Sequence, residues 1–183
     1  MNDLAIAENN NDPYGLGGVV MDDAYQFLTF SVLGKLMAIG ILDVKEIIEV
    51  SSMTRVPMTQ NSIRGVINLR GNVVPVVDLG ARLGSHVIKL TKKSCIVLVS
   101  LAFHGETQTM GILVEQVNEI LSIPEQNRQK PPDFGTDIDS KFISQIGRYE
   151  DDFIILLNKE KVLCVEELSD QIVAAQSSLC VYK

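Results

Sequence analysis

From Tyr25 onward apolar and polar side chains alternate through Gln26-Phe27-Leu28-Thr29-Phe30-Ser31-Val32, and a second apolar run, Leu36 to Ile41, follows a Gly34-Lys35 turn. A period of two gives one face to a core and the other to water, so both runs predict β-strands. Val44 to Val50 predicts a third, and the Pro57 region with Thr54, Thr59, Asn61 and Ser62 predicts a loop. The strongest local signal is Ile63 to Leu79, where two β-branched runs flank an Arg70-Gly71-Asn72 break. That pattern predicts a hairpin in which Gly71 takes a positive φ at little steric cost and Arg70 is held at the tip. Pro75 within the second run predicts an edge or a bulge, because proline has no N–H to give a ladder. Five short strands thus occupy the first half.

The second half repeats the plan. MAIGILDVKEIIEV from Met37 slides onto MGILVEQVNEILSI from Met110, an offset of 73 residues, with Met37, Ile39, Val44, Glu46 and Ile47 over Met110, Ile112, Val117, Glu119 and Ile120. Upstream the same offset sets Leu28 over Leu101 and Phe30 over Phe103. Downstream it grows to 80 through an insertion between Pro124 and Asp137, and VVPVVDLGARL from Val73 lies over FIILLNKEKVL from Phe153. A sequence repeated once, rich in short strands, predicts an all-β fold of two similar small barrels packed together, since neither half has enough core alone. Val165, Leu168 and Ile172 at helical spacing predict a short amphipathic helix, with a polar tail over 173–183. Residues 1–23, with Asn9 to Asn11, Pro13 and several glycines, predict a flexible N-terminal arm.

A formal charge of -7 repels a phosphate backbone, and aromatic residues are only 5% of the chain, so nucleic acid is an unsuitable partner. Cys95, Cys164 and Cys180 form no CxxC pair, which predicts reduced thiols, Cys95 and Cys164 buried in apolar runs, and no metal site. No apolar run approaches the roughly 20 residues that span a bilayer, and the first residues lack a secretory pattern. A cytoplasmic protein is expected. No Walker loop or GxGxxG cradles phosphate, so no cofactor is expected. His86 and His104 fall in turns with no nucleophile to serve. Asp78 ends an aliphatic strand as a phosphoacceptor would, but its counterpart is Asn158, and Asp and Asn share the ability to cap a following helix. Glu166-Glu167 and Asp151-Asp152 read as solvated charge. Glu46 and Glu119 recur, pointing to a shared structural role, whereas Arg70-Gly71 becomes Glu150-Asp151 and is free to serve function. A tip arginine offers a planar fork that binds carboxylates or carbonyls in two places at once.

With strands, hairpin and duplication placed, the chain resembles the CheW family of chemotaxis coupling proteins over about residues 25 to 172. The resemblance is carried in order by YQFLTF at Tyr25, VKEIIEV at Val44, the Pro57 loop, GVINLRGNVVPVVDL at Gly65, GILVEQVNEIL at Gly111, the PPDF loop at Pro131 and IGRYEDDFIILLNKEKVL at Ile146. It implies two interlocked five-stranded SH3-like barrels over 24–172, with short helices. It also implies a non-catalytic scaffold joining the cytoplasmic tips of chemoreceptors to the regulatory domain of the histidine kinase CheA, recruited to receptor arrays and able to contact its own copies. The receptor-binding groove would map onto Val44, Glu46 and Arg70, with apolar help from Val117 and Ile120. An adaptor of a related non-flagellar system, or a CheV-like coupler lacking its receiver, is the alternative.

Overall fold

A computed structural model describes residues 22–56, 62–133, 135, 137–164 and 167–168. Among the described residues eleven strands run in chain order: β1 (Gln26–Val32), β2 (Lys35–Gly40), β3 (Val44–Glu49), β4 (Ile63–Leu69), β5 (Asn72–Asp78), β6 (Cys95–Phe103), β7 (Glu106–Val114), β8 (Gln116–Ser122), β9 (Arg128–Gln129), β10 (Ile143–Tyr149) and β11 (Asp152–Leu157). One-turn helices α1 (Leu79–Arg82) and α2 (Lys159–Val162) follow β5 and β11. The second apolar run stops as a strand at Gly40, and Ile41–Asp43 turns as a 3-10 helix. The predicted helix around Leu168 falls mostly outside the described residues, as do the Pro57 loop, residues 1–21 and the tail; Leu168 itself is wholly buried.

The strands form two sheets, ordered β8-β1-β2-β11-β10-β9 and β3-β6-β7-β5-β4. Each lobe therefore mixes the halves. The first sheet takes β1 and β2 from the first half and β8 to β11 from the second; the other takes β3 to β5 from the first and β6 and β7 from the second. Matching β1, β2, β3, β4 and β5 with β6, β7, β8, β10 and β11 converts one sheet order into the other, a pseudo-two-fold in which the copies exchange strands. Both sheets close. Just past β3, Thr54 and Val66 of β4 exchange both backbone hydrogen bonds at 2.9 and 2.8 Å, and just past β8, β9 pairs with β10 at the equivalent place.

This bridge explains Pro75, which lies on neither an edge strand nor a bulge: β5 sits inside its sheet and Pro75 pairs with Val66 beyond the irregularity between Ile63 and Gly65. Val66 gives both its N–H and its C=O to Thr54, so it and Pro75 form a non-hydrogen-bonded pair that asks no donor of the proline. On its other side the parallel pairing of β5 with β7 begins only at Val76.

The duplication holds for β2 through β5 with one correction upstream. Val44 pairs with Val99 and its counterpart Val117 pairs with Phe30, so Phe30 matches Val99, not Phe103. Leu28 accordingly matches Val97 rather than Leu101. The cause is a longer β6–β7 hairpin, nine residues per strand against seven and six in β1 and β2. One large core spans both lobes, including Phe30, Met37, Ile39, Val76, Leu98 and Ile112, and a smaller one of Phe27, Ala38, Leu121, Ile123, Ile154 and Leu156 fills the first sheet's far face. Cys95 and Cys164 are half-buried free thiols rather than buried, each at the end of an apolar run.

Candidate partner-binding surface

Arg70 stands at the tip of the β4–β5 hairpin. A two-residue loop between twisted strands favours a turn with positive φ at both positions, and Arg70 (50°) and Gly71 (88°) supply them. Asn68 Oδ1 accepts the Gly71 N–H at 2.9 Å and steadies the turn. The sequence had assigned the strained backbone to Gly71 alone.

From this tip the Arg70 side chain reaches β3, where its Nη2 donates to both Glu46 oxygens at 3.0 and 3.1 Å. The Arg70 side chain remains 72% exposed against 37% for Glu46. Only one of its nitrogens engages the carboxylate, leaving the rest of the guanidinium edge facing water with donors for an incoming group. Glu46 thus holds the arginine's direction without consuming its capacity.

The remaining predicted residues divide. Val44 is half-buried against the main core at the start of β3. Val117 and Ile120 belong to the other sheet, on β8, which pairs with β1. Val117 packs on the core, while Ile120 is 52% exposed. A bulge between them is stabilised by Thr29, whose hydroxyl donates to the Glu119 carbonyl at 2.6 Å and accepts its N–H at 3.1 Å. The structure therefore joins Glu46 and Arg70 directly and puts Val117 and Ile120 on the sister lobe, at positions equivalent to Val44 and Ile47. Ile47, 42% exposed beside Glu46, is an apolar candidate that strand patterning alone had not singled out; its register with Ile120 in the duplication was the available signal. The recurring glutamates split in role: Glu46 is ion-paired, whereas Glu119 is engaged through its backbone.

Asp78 behaves as a cap. It is wholly buried, accepts from Ala81 N at 3.1 Å and Ile88 N at 3.0 Å, and faces Arg64 at 3.3 Å. Burial pushes its carboxyl above the usual 3.8, opposed by these N–H donors and by Arg64. No phosphoryl donor reaches such a group. Asn158 repeats the cap on Lys161 N at 3.1 Å. Among the described residues, no three of His, Cys, Asp and Glu cluster as metal ligands, and no helix is long and apolar enough to cross a membrane.

Comparisons with known proteins agree with this architecture. The family described as CheW-like domain matches residues 26–167. Chemotaxis protein CheW of Bacillus subtilis is 31% identical over 75% of this chain and 86% of its own, and that of Rhizobium meliloti is 30% identical over 78% and 89%. The crystal structure of scaffolding protein TtCheW from Thermoanaerobacter tengcongensis superposes with a TM-score of 0.66 at 34% identity, covering 74% of this chain and 84% of that one.

Proposed function

Because the chain belongs to the CheW-like family and is a non-catalytic chemotaxis coupling scaffold, we propose that its Arg70–Glu46 pair, with Val44, Val117 and Ile120, forms the surface that receives a chemoreceptor's cytoplasmic tip. The observation that carries this reading is the half-used guanidinium: Arg70 is aimed by Glu46, yet is 72% exposed. A receptor helical hairpin would lay an apolar stripe on the valines and Ile120 while Arg70 fixes its register through charged hydrogen bonds. A second surface of the same rigid body would hold the regulatory domain of the kinase CheA, and contacts between copies would extend the array at the cytoplasmic side of the membrane. Holding receptor and kinase together turns two weak contacts into one tight assembly through effective concentration. Receptor state would then bias the kinase if its two conformations contact the scaffold differently.

Replacing Arg70 with Glu tests the assignment. Receptor-dependent kinase activation should be lost, while stability in denaturant titration changes by no more than about 1 kcal/mol, the limit for an exposed ion pair. Full activation by this variant would remove Arg70 from the surface.

A further inference from the structure

The two halves of the repeat diverge where the chain crosses from one sheet to the other. β7 ends at Val114 and β8 begins at Gln116, so the second crossing is a single residue, Glu115, whose N–H donates to the Ser31 carbonyl of β1 at 3.2 Å. The first crossing is longer: β2 ends at Gly40, Ile41–Asp43 turns as a 3-10 helix, and β3 starts at Val44. Because Phe30 matches Val99, Ser31 matches Ser100. The Ser100 carbonyl accepts from a side chain instead, that of Lys159, at 3.2 Å.

Lys159 is the first residue of α2, directly after the Asn158 cap, and its counterpart in the repeat is Leu79, the wholly buried first residue of α1. An apolar plug in one lobe is a cation in the other. The Lys159 Nζ also donates to the Asp43 carboxylate, with Glu160 no nearer than 3.9 Å. Its side chain is 17% exposed against 35% for Asp43, and Asp43 matches Gln116, so neither member of the pair recurs. A partly buried ion pair seldom stabilises more than the apolar contact it replaces, so its use is in fixing geometry. The geometry here spans both lobes. Lys159 follows β11 of the first sheet, whereas Asp43 leads into β3 and Ser100 lies on β6, both in the other. Asp43 is also next to Val44, whose N–H donates to the Ile41 carbonyl of the same turn.

We propose that Lys159 is a positioning residue for the receptor surface: by holding the Ile41–Asp43 turn against α2 and β6 it fixes Val44 relative to Val117 on the sister lobe. The partner then meets a preformed pair of apolar contacts and does not have to order the turn on binding. This rests on the receptor reading of Val44, Glu46 and Arg70, and adds the cross-lobe ion pair on which their placement depends.

Lys159→Met tests it, because methionine keeps an unbranched stem and removes the charge, while Asp43 is exposed enough to stay hydrated without its partner. Amide hydrogen exchange of the free protein is the first readout. The Val44 N–H should exchange about three to ten times faster, with the amides of β4 and β5 at parent rates. Equal acceleration throughout, or none at Val44, would overturn the proposal, the former by making Lys159 a residue of general stability. The second readout is affinity for a purified cytoplasmic-tip fragment of a chemoreceptor, by titration calorimetry. Lys159→Met should weaken it by a factor of about three to ten, the cost of ordering a loosened turn, and Lys159→Arg, which keeps the cation, should restore it. Arg70→Glu measured alongside separates the two claims. Parent affinity for Lys159→Met beside lost affinity for Arg70→Glu would overturn this inference alone; parent affinity for both would overturn the receptor assignment and this inference with it.

Discussion

Arg70 occupies a backbone conformation that costs a side chain with a Cβ roughly 1 kcal/mol, yet Leu33 at 56° and His104 at 49° sit in matching hairpin turns. The strain thus belongs to the tight turns of this fold, and what distinguishes Arg70 is its chemistry. Asparagine is the residue such a turn prefers. Arg70→Asn should therefore stay within about 1 kcal/mol of the parent in chemical denaturation, relief of strain offsetting the lost exposed pair, while receptor-dependent kinase activation falls as it does for Arg70→Glu. Activation retained by Asn would mean that the partner does not read the tip side chain. Gly65 poses the opposite case: its φ is 155° and a Cβ there would press into the Thr54 carbonyl that closes the barrel. Gly65→Ala should cost more than about 2 kcal/mol, read as a lowered denaturant midpoint. The sequence marked Gly71 as special and passed over Gly65, because a turn glycine is legible from its neighbours whereas a close approach from a distant strand is not.

Between elements, α1 and α2 are tied together by one side chain. Arg82 donates from Nε to the Val162 carbonyl at 2.8 Å and from Nη2 to the Lys161 carbonyl at 3.1 Å and Glu167 at 2.6 Å, with its guanidinium over Phe142. It is 12% exposed, so these bonds act in a partly dry setting. Arg82→Ala should destabilise by about 2 to 4 kcal/mol, and Arg82→Lys should recover little, since an ammonium cannot reproduce the fork. The hydrogen bond from Arg82 holds the Glu167 carboxyl below its ordinary 4.5. A lowered folded value means that the ionised form stabilises the fold above that range and the contribution disappears as pH falls through the folded value. Urea midpoints of the parent and Glu167→Gln should accordingly differ at pH 7 and converge well below pH 4.5; a gap that persists in acid would assign the effect to packing. Lys159 of α2 makes a second tie, to Asp43 and to the Ser100 carbonyl at 3.2 Å.

At the scale of the molecule, the periodicity of β1 to β5 and the repeat made two mainly β lobes readable before any coordinates. Repetition identifies equivalent segments but carries no information on which copy pairs with which, so the exchange of β1–β2 with β6–β7 was hidden. The longer β6–β7 hairpin likewise misled the match of Phe30 to Phe103, because apolar strand residues substitute for one another along a face. For the surface, the family pattern assigned Glu46 and Arg70 to one groove but not their mutual ion pair, and the separation of Val44 from Val117 and Ile120 across two sheets depends on that exchange. The exchange also leaves the main core drawing on strands of both sheets, so β3 and the β4–β5 hairpin pack on a core shared with the sister lobe.

Bridging is the central claim, and sedimentation of receptor-bearing membranes with the kinase measures it most directly. Adding this protein should raise the kinase recovered in the pellet, and Arg70→Glu should return recovery to the level without scaffold. Kinase recovery unaffected by the parent protein, or raised equally by Arg70→Glu, would contradict the account.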